Sequence, residues 1–115
     1  MNRMPHASWY NWYANRLLME NIEQLARGIS GRLVIDVGCG EQPYRPCMKG
    51  FRQYIGFDSL DAPDRGEHAD VLGDALALPF RDGCADAVLC TEVIEHVTDP
   101  SAMLAEFARV LTPDG

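Results

Sequence analysis

The chain has 115 residues, 47% of them hydrophobic, and a formal net charge of −7. That length builds one domain over residues 1–115 and is too short for two. The acidic balance argues against nucleic acid as a partner, since neutralising phosphates takes a basic face.

No apolar run approaches the roughly 20 residues of a membrane span, so no membrane association is expected. The start, Met1-Asn2-Arg3-Met4-Pro5-His6, has no apolar core of a secretory signal. Cys39, Cys47, Cys84 and Cys90 show no C-x-x-C spacing and no paired histidines nearby. That pattern argues against a metal site and for free thiols in a reducing cytoplasm.

Ser8 to Gly28 is predicted to be a helix. Tyr10, Tyr13, Ala14, Leu17, Leu18, Ile22, Leu25 and Ala26 recur at helical spacing; Ser8 suits the N-cap and Gly28 the stop. Trp9, Tyr10, Trp12 and Tyr13 are too broad a cluster for one stripe. Ordinary packing is the preferred reading, and a lid over a ligand the alternative. Leu33-Val34-Ile35, ended by Asp36, is a short aliphatic strand of the kind buried on both faces of a parallel sheet. Glu41 to Arg52 contains two prolines and has room for only a short helix.

Gln53–Asp58 is the second predicted strand, Ser59 to Ala69 a polar loop, Asp70–Leu72 a brief third strand, and Ala85–Thr91 a fourth. The last element is a helix capped by Asp99, with Pro100 at its first position. Met103, Leu104, Phe107, Val110 and Leu111 form its apolar face, and Pro113 and Gly115 close it. Strands alternating with helices and loops imply an α/β fold with a mainly parallel sheet. Right-handed crossovers place its ligand at the carboxyl ends of the strands.

Three acids fall at or near such ends. Asp36 opens Asp36-Val37-Gly38-Cys39-Gly40, where two glycines allow a sharp turn and close approach of a ligand to the backbone. In a dinucleotide fingerprint a third glycine would follow; here that position is Pro43. An acid ahead of the turn repels phosphate and welcomes a cation, so the turn suits a positively charged nucleoside ligand. Asp58 lies 22 positions after Asp36, where a carboxylate takes both hydroxyls of a ribose. Asp74, in Gly73-Asp74-Ala75-Leu76-Ala77-Leu78-Pro79-Phe80, precedes apolar residues that suit a ring with one polar edge and two apolar faces.

D-x-G-C-G after a strand resembles the first motif of the class I S-adenosylmethionine-dependent methyltransferases, especially the small-molecule "type 11" group. Gly73–Phe80 resembles the family's G-D-A-x-x-L-P-F segment, Thr91–Val97 its x-x-x-L-E-H-V segment, and Leu111–Gly115 its L-K-P-G-G turn. The resemblance covers Leu33 to Gly115 and implies a Rossmann-like three-layer sandwich with S-adenosyl-L-methionine as cofactor. It implies that Asp36, Gly38, Cys39 and Gly40 hold the methionine part, and Asp58, with Ser59 behind it, the ribose. Leu60 would flank the adenine, which Asp74 and the Ala75 amide would read. Thr91 and Glu92 would lie near the sulfonium. His96, four residues after Glu92 and so on the same helical face, is the candidate base; a loop-holding hydrogen bond between Glu95 and His96 is an equal alternative.

The sequence departs from the family at Cys84-Ala85-Asp86, where an aromatic is replaced by Ala85, so looser packing is expected there. The family sheet continues beyond Gly115, so the expected order 3-2-1-4 is truncated after the fourth strand and its following helix, and leaves strand four at an edge. A homodimer through that edge is expected, or a chain cut from a longer protein. The expected activity is metal-free methyl transfer to a small-molecule acceptor. Its alternatives are a noncatalytic S-adenosylmethionine-binding or assembly module and, less in keeping with Pro43 and the Asp74 segment, a nicotinamide-dependent oxidoreductase.

Overall fold

The computed structural model describes residues 22–26, 28–61, 67–91 and 97–115. Residues 22–26 are helical (α1) and Gly28 stands in a turn. The remainder of the helix predicted from Ser8, with its aromatic cluster, lies outside the described residues. Four strands follow: β1 (Gly31–Val37), β2 (Phe51–Ser59), β3 (Val71–Gly73) and β4 (Ala87–Cys90). A 3-10 turn at Arg45–Cys47 separates β1 from β2, and α2 (Pro100–Val110) follows β4. The sheet has the order β3-β2-β1-β4 and every pairing is parallel. This is the expected Rossmann-like arrangement.

β1 runs two residues beyond Ile35, so Asp36 is in the strand, opposite Gly56 of β2 and Leu89 of β4. The β4 strand is shorter than predicted because the chain at Ala85 is already committed elsewhere. Its amide donates to the Val110 carbonyl at 2.9 Å and its carbonyl accepts from Thr112 N at 2.8 Å.

Strand alternation sends Ile35 and Val37 to one face of the sheet. There they pack with Phe57, Leu78, Ala85, Met103, Phe107 and Val110. On the other face Val34 packs with Ile22, Ala26, Tyr44, Met48 and Phe51. Helix α2 covers the first face, α1 and the 3-10 turn the second. Each fully buried aliphatic or aromatic side chain contributes about 1.5–3 kcal/mol.

Helix α2 begins as expected: the Asp99 carboxylate accepts from Ala102 N at 3.1 Å and Pro100 occupies the first turn. Its buried residues, Met103, Phe107 and Val110, follow an i, i+4, i+7 spacing. Leu104, expected on the same face, is 52% exposed, and Leu25 of α1 is 68% exposed. Both lie on the flank of a stripe narrower than the sequence pattern suggests. Glu106 and Arg109 fasten the helix to the segment after β3. Glu106 Oε1 accepts from Leu78 N at 2.8 Å; Arg109 donates to the Leu78 and Phe80 carbonyls at 2.9 and 2.8 Å and to Asp82 at 2.7 Å. The Arg109 guanidinium holds the Glu106 carboxyl below its ordinary range. No helix among the described residues is long and apolar enough to cross a membrane.

Candidate functional site

A cleft of about 910 Å³ opens at the carboxyl ends of the strands. Gly38, Cys39 and Gly40 line it from the turn after β1, Asp58 and Ser59 from the end of β2, Asp74 and Ala75 from the segment after β3, and Thr91 from the end of β4. Parallel strands bring these segments to one rim although they lie tens of residues apart in the chain.

The turn after β1 needs its glycines. Gly38 and Gly40 have φ of 78° and 53°, and Gln42 also adopts a left-handed conformation, with φ of 61°. Gln42 is fixed by its side chain, which donates to the His68 carbonyl and accepts from Arg45 at 2.9 Å. The turn's amides point inward. Gly38 N and Cys39 N donate to the Phe57 carbonyl at 2.9 and 3.1 Å, and Gly40 N donates to Asp58 Oδ2 at 3.2 Å. A phosphate cradle requires such amides to be free, so this turn is unsuited to a pyrophosphate. Gly56 makes the close packing possible: a Cβ there would lie 2.4 Å from Gln42 Nε2 and 3.0 Å from Cys39 Sγ.

Asp58 accepts from Ser59 N through Oδ1 at 2.9 Å and from Gly40 N through Oδ2 at 3.2 Å. One donor on each oxygen fixes the carboxylate and leaves lone pairs for a vicinal diol. Asp74 accepts from Leu76 N at 2.8 Å, and its carbonyl accepts from Ala77 N at 3.0 Å, which folds the 74–77 segment into a tight turn at the rim. With Glu41 and Asp61 also in the lining, the wall is rich in carboxylates and suited to a cationic ligand.

Asp36 differs from its expected place. It is 1% exposed and, unlike its neighbour Val37, lies outside the cleft lining. One carboxylate oxygen accepts from the Tyr54 hydroxyl; the other, Oδ1, has no hydrogen-bond partner among the described residues. Burial pushes its carboxyl up to about 6; the Tyr54 hydrogen bond opposes the rise and the charge of Asp58 adds to it. The Cys39 thiol is pushed up to about 12, first by burial and then by Asp36 and Asp58, so it stays protonated. Leu60 is 71% exposed and outside the cleft lining. It follows the strand end, where β2 no longer directs its side chain. Glu92 and His96 lie outside the described residues.

Sequence reasoning passed over Tyr54 and Gln42. Only the register that seats Tyr54 against Val34 and near Asp36 reveals the first; the second could be suspected only from its place right after the glycines.

Residues 35–115 match the family model described as a methyltransferase domain. A ubiquinone biosynthesis O-methyltransferase of Shewanella halifaxensis is 32% identical over 113 residues, covering 88% of this chain and 48% of that protein. An uncharacterized protein of Methanocaldococcus jannaschii is also 32% identical, over 90% of this chain and 48% of its own length. The chain spans about half the length of the curated relatives it matches. Among solved structures, the YcgJ protein of Bacillus subtilis superposes with a TM-score of 0.68 at 25% identity, over 84% of this chain and 47% of that one. A SAM-dependent methyltransferase of Aquifex aeolicus shares the fold, with a TM-score of 0.61 at 18% identity over 82% and 58% of the two chains.

Proposed function

The chain belongs to the class I S-adenosylmethionine-dependent methyltransferases, and we propose that its cleft seats S-adenosyl-L-methionine for methyl transfer to a small-molecule acceptor. The observation that carries this reading is the fixed Asp58 carboxylate in the lining of a cleft where the Gly38, Cys39 and Gly40 amides are already paired within the protein. That combination suits a ribose attached to a cation, and disfavours a pyrophosphate.

Asp58 would hold the ribose hydroxyls, Asp74 and the Ala75 amide the adenine edge, and the Gly38-Cys39-Gly40 backbone with Asp36 the amino-acid end. When bound, the cofactor supplies an electrophilic methyl on a good leaving group. What remains for the protein is to align that methyl with the acceptor and exclude water. Thr91 lines the rim at the end of β4, where the acceptor would approach, and Glu92 and His96 are proposed to follow it as polar or basic groups. The relatives named as O-methyltransferases favour a hydroxyl oxygen as the reacting atom.

Asp58→Ala tests the reading. Calorimetry with S-adenosylhomocysteine should show affinity falling by at least about 30-fold, since two hydrogen bonds to a charged acceptor are lost. Unchanged affinity would defeat it. Methyl transfer to a panel of phenols and other hydroxyl acceptors separates this reading from cofactor binding without transfer.

The same proposal includes a homodimer through the outer margin of β4, and a cytoplasmic location. β4 ends the sheet order among the described residues. Beside it runs an apolar groove of about 140 Å³ lined by residues such as Ile22, Ile29, Val34, Phe51 and Leu89. Light scattering at high micromolar concentration should give twice the chain mass; a monodisperse monomer would remove the dimer.

A further inference from the structure

The Asp36–Tyr54 pair lies beneath the cleft and is unlike the other carboxylates at the rim. Asp58 is tied to the backbone amides of Ser59 and Gly40, and Asp74 to that of Leu76. Asp36 is held by a side chain from the neighbouring strand, with its second oxygen buried and unpartnered among the described residues. A buried carboxylate oxygen left without a donor is costly, and a fold keeps one only where something else compensates. Asp36 immediately precedes Val37 and the glycine turn in the chain, and these line the cleft.

We propose that Tyr54 is a positioning residue for the amino-acid end of the cofactor: by occupying one oxygen of Asp36 it dedicates the other to the ligand's ammonium group, directly or through one water. The proposal rests on the cleft being the cofactor's seat. Tyr54 does not line the cleft itself. Its ring is steadied by Arg45, whose guanidinium lies 5.3 Å from the ring centroid. Burial and the nearby Asp36 charge both raise the Tyr54 hydroxyl, so it remains a donor at neutral pH.

Among the described residues, the charged and titratable groups around Asp36 are Tyr54 and Asp58 on β2, Cys39 on the turn and Asp70, which accepts from the Gly56 amide, with Arg45 behind Tyr54. Its β4 neighbour in register is Leu89, which does not titrate. Ammonium binding requires Asp36 ionised, so affinity for a ligand carrying that group should fall as pH drops through about 6. The Tyr54 hydroxyl favours the ionised form, so removing it should move this acid limb to higher pH.

The test is calorimetric titration of the whole chain with S-adenosylhomocysteine and with 5′-methylthioadenosine, which has the nucleoside and thioether but no amino-acid tail. Tyr54→Phe should weaken S-adenosylhomocysteine about tenfold at pH 7.5, raise the acid limb of its binding, and leave methylthioadenosine within about twofold. In an Asp36→Asn background the same change should cause no further loss. Equal weakening of both ligands, or additive losses in the double variant, overturns the role of Tyr54 while leaving the cofactor reading intact. Failure of the unaltered chain to bind either ligand overturns both.

Discussion

The two ends of β1 are built on opposite terms. At its start the Asp86 carboxylate accepts from Arg32 N at 2.6 Å and Leu33 N at 3.1 Å, and these amides draw its carboxyl below the ordinary range. Near its end Asp36 has, among the described residues, one partner and one orphaned oxygen, and a carboxyl pushed up to about 6. The first acid is saturated by the fold. The second is left short, at the end where a parallel sheet of this kind receives its ligand. Local satisfaction thus separates an acid that holds the structure from one proposed to serve the ligand.

The largest expected effect concerns that unsaturated end. An acid raised on folding binds its proton more tightly in the native state, so stability falls as pH rises from the unfolded value near 3.8 to about 6. The sign is opposite for Asp86, whose lowered value adds stability that is lost on acidification. Asp36→Asn should therefore remove roughly 2–3 kcal/mol of loss between pH 4 and pH 7, read by denaturant unfolding of variant and parent at both pH values. An identical pH slope in the two would mean Asp36 titrates normally.

The glycines facing each acid sharpen the contrast. Gly56→Ala puts a Cβ against Gln42 and Cys39. It should cost about 2 kcal/mol as local overpacking, and displace the turn enough to weaken S-adenosylhomocysteine binding in the folded protein. Gly31→Ala puts its Cβ 2.7 Å from Asp86 Cβ. It should cost about 1 kcal/mol and leave the affinity of the folded fraction unchanged. Thermal melts paired with calorimetry distinguish these outcomes; a binding loss at Gly31 would erase the proposed division between the ends.

Much of the fold was legible because its signals are local. Leu33-Val34-Ile35 alternates between two cores, Asp99-Pro100 starts a helix, and Gly38 and Gly40 mark a turn with positive φ. Strand limits were less legible. Where β4 begins depends on Ala85 pairing with the end of α2, a contact no local pattern encodes. Ala85 itself is wholly buried, in the core with Ile35, Met103 and Val110. Leu60 and Leu104 carry apolar side chains whose exposure is set by what neighbouring elements leave uncovered.

From the amino-acid order alone came the parallel α/β topology, the family, and the three acids near strand ends, since periodicity, turn residues and spacing act over short stretches. The tertiary structure decided how each acid is held. Asp58 is braced by amides, Asp74 folds its own loop, and Asp36 is sunk beneath the cleft on a tyrosine from the next strand. Protonation and hydrogen-bond partners depend on burial and on groups distant in the chain, and these exist only once the strands are in register.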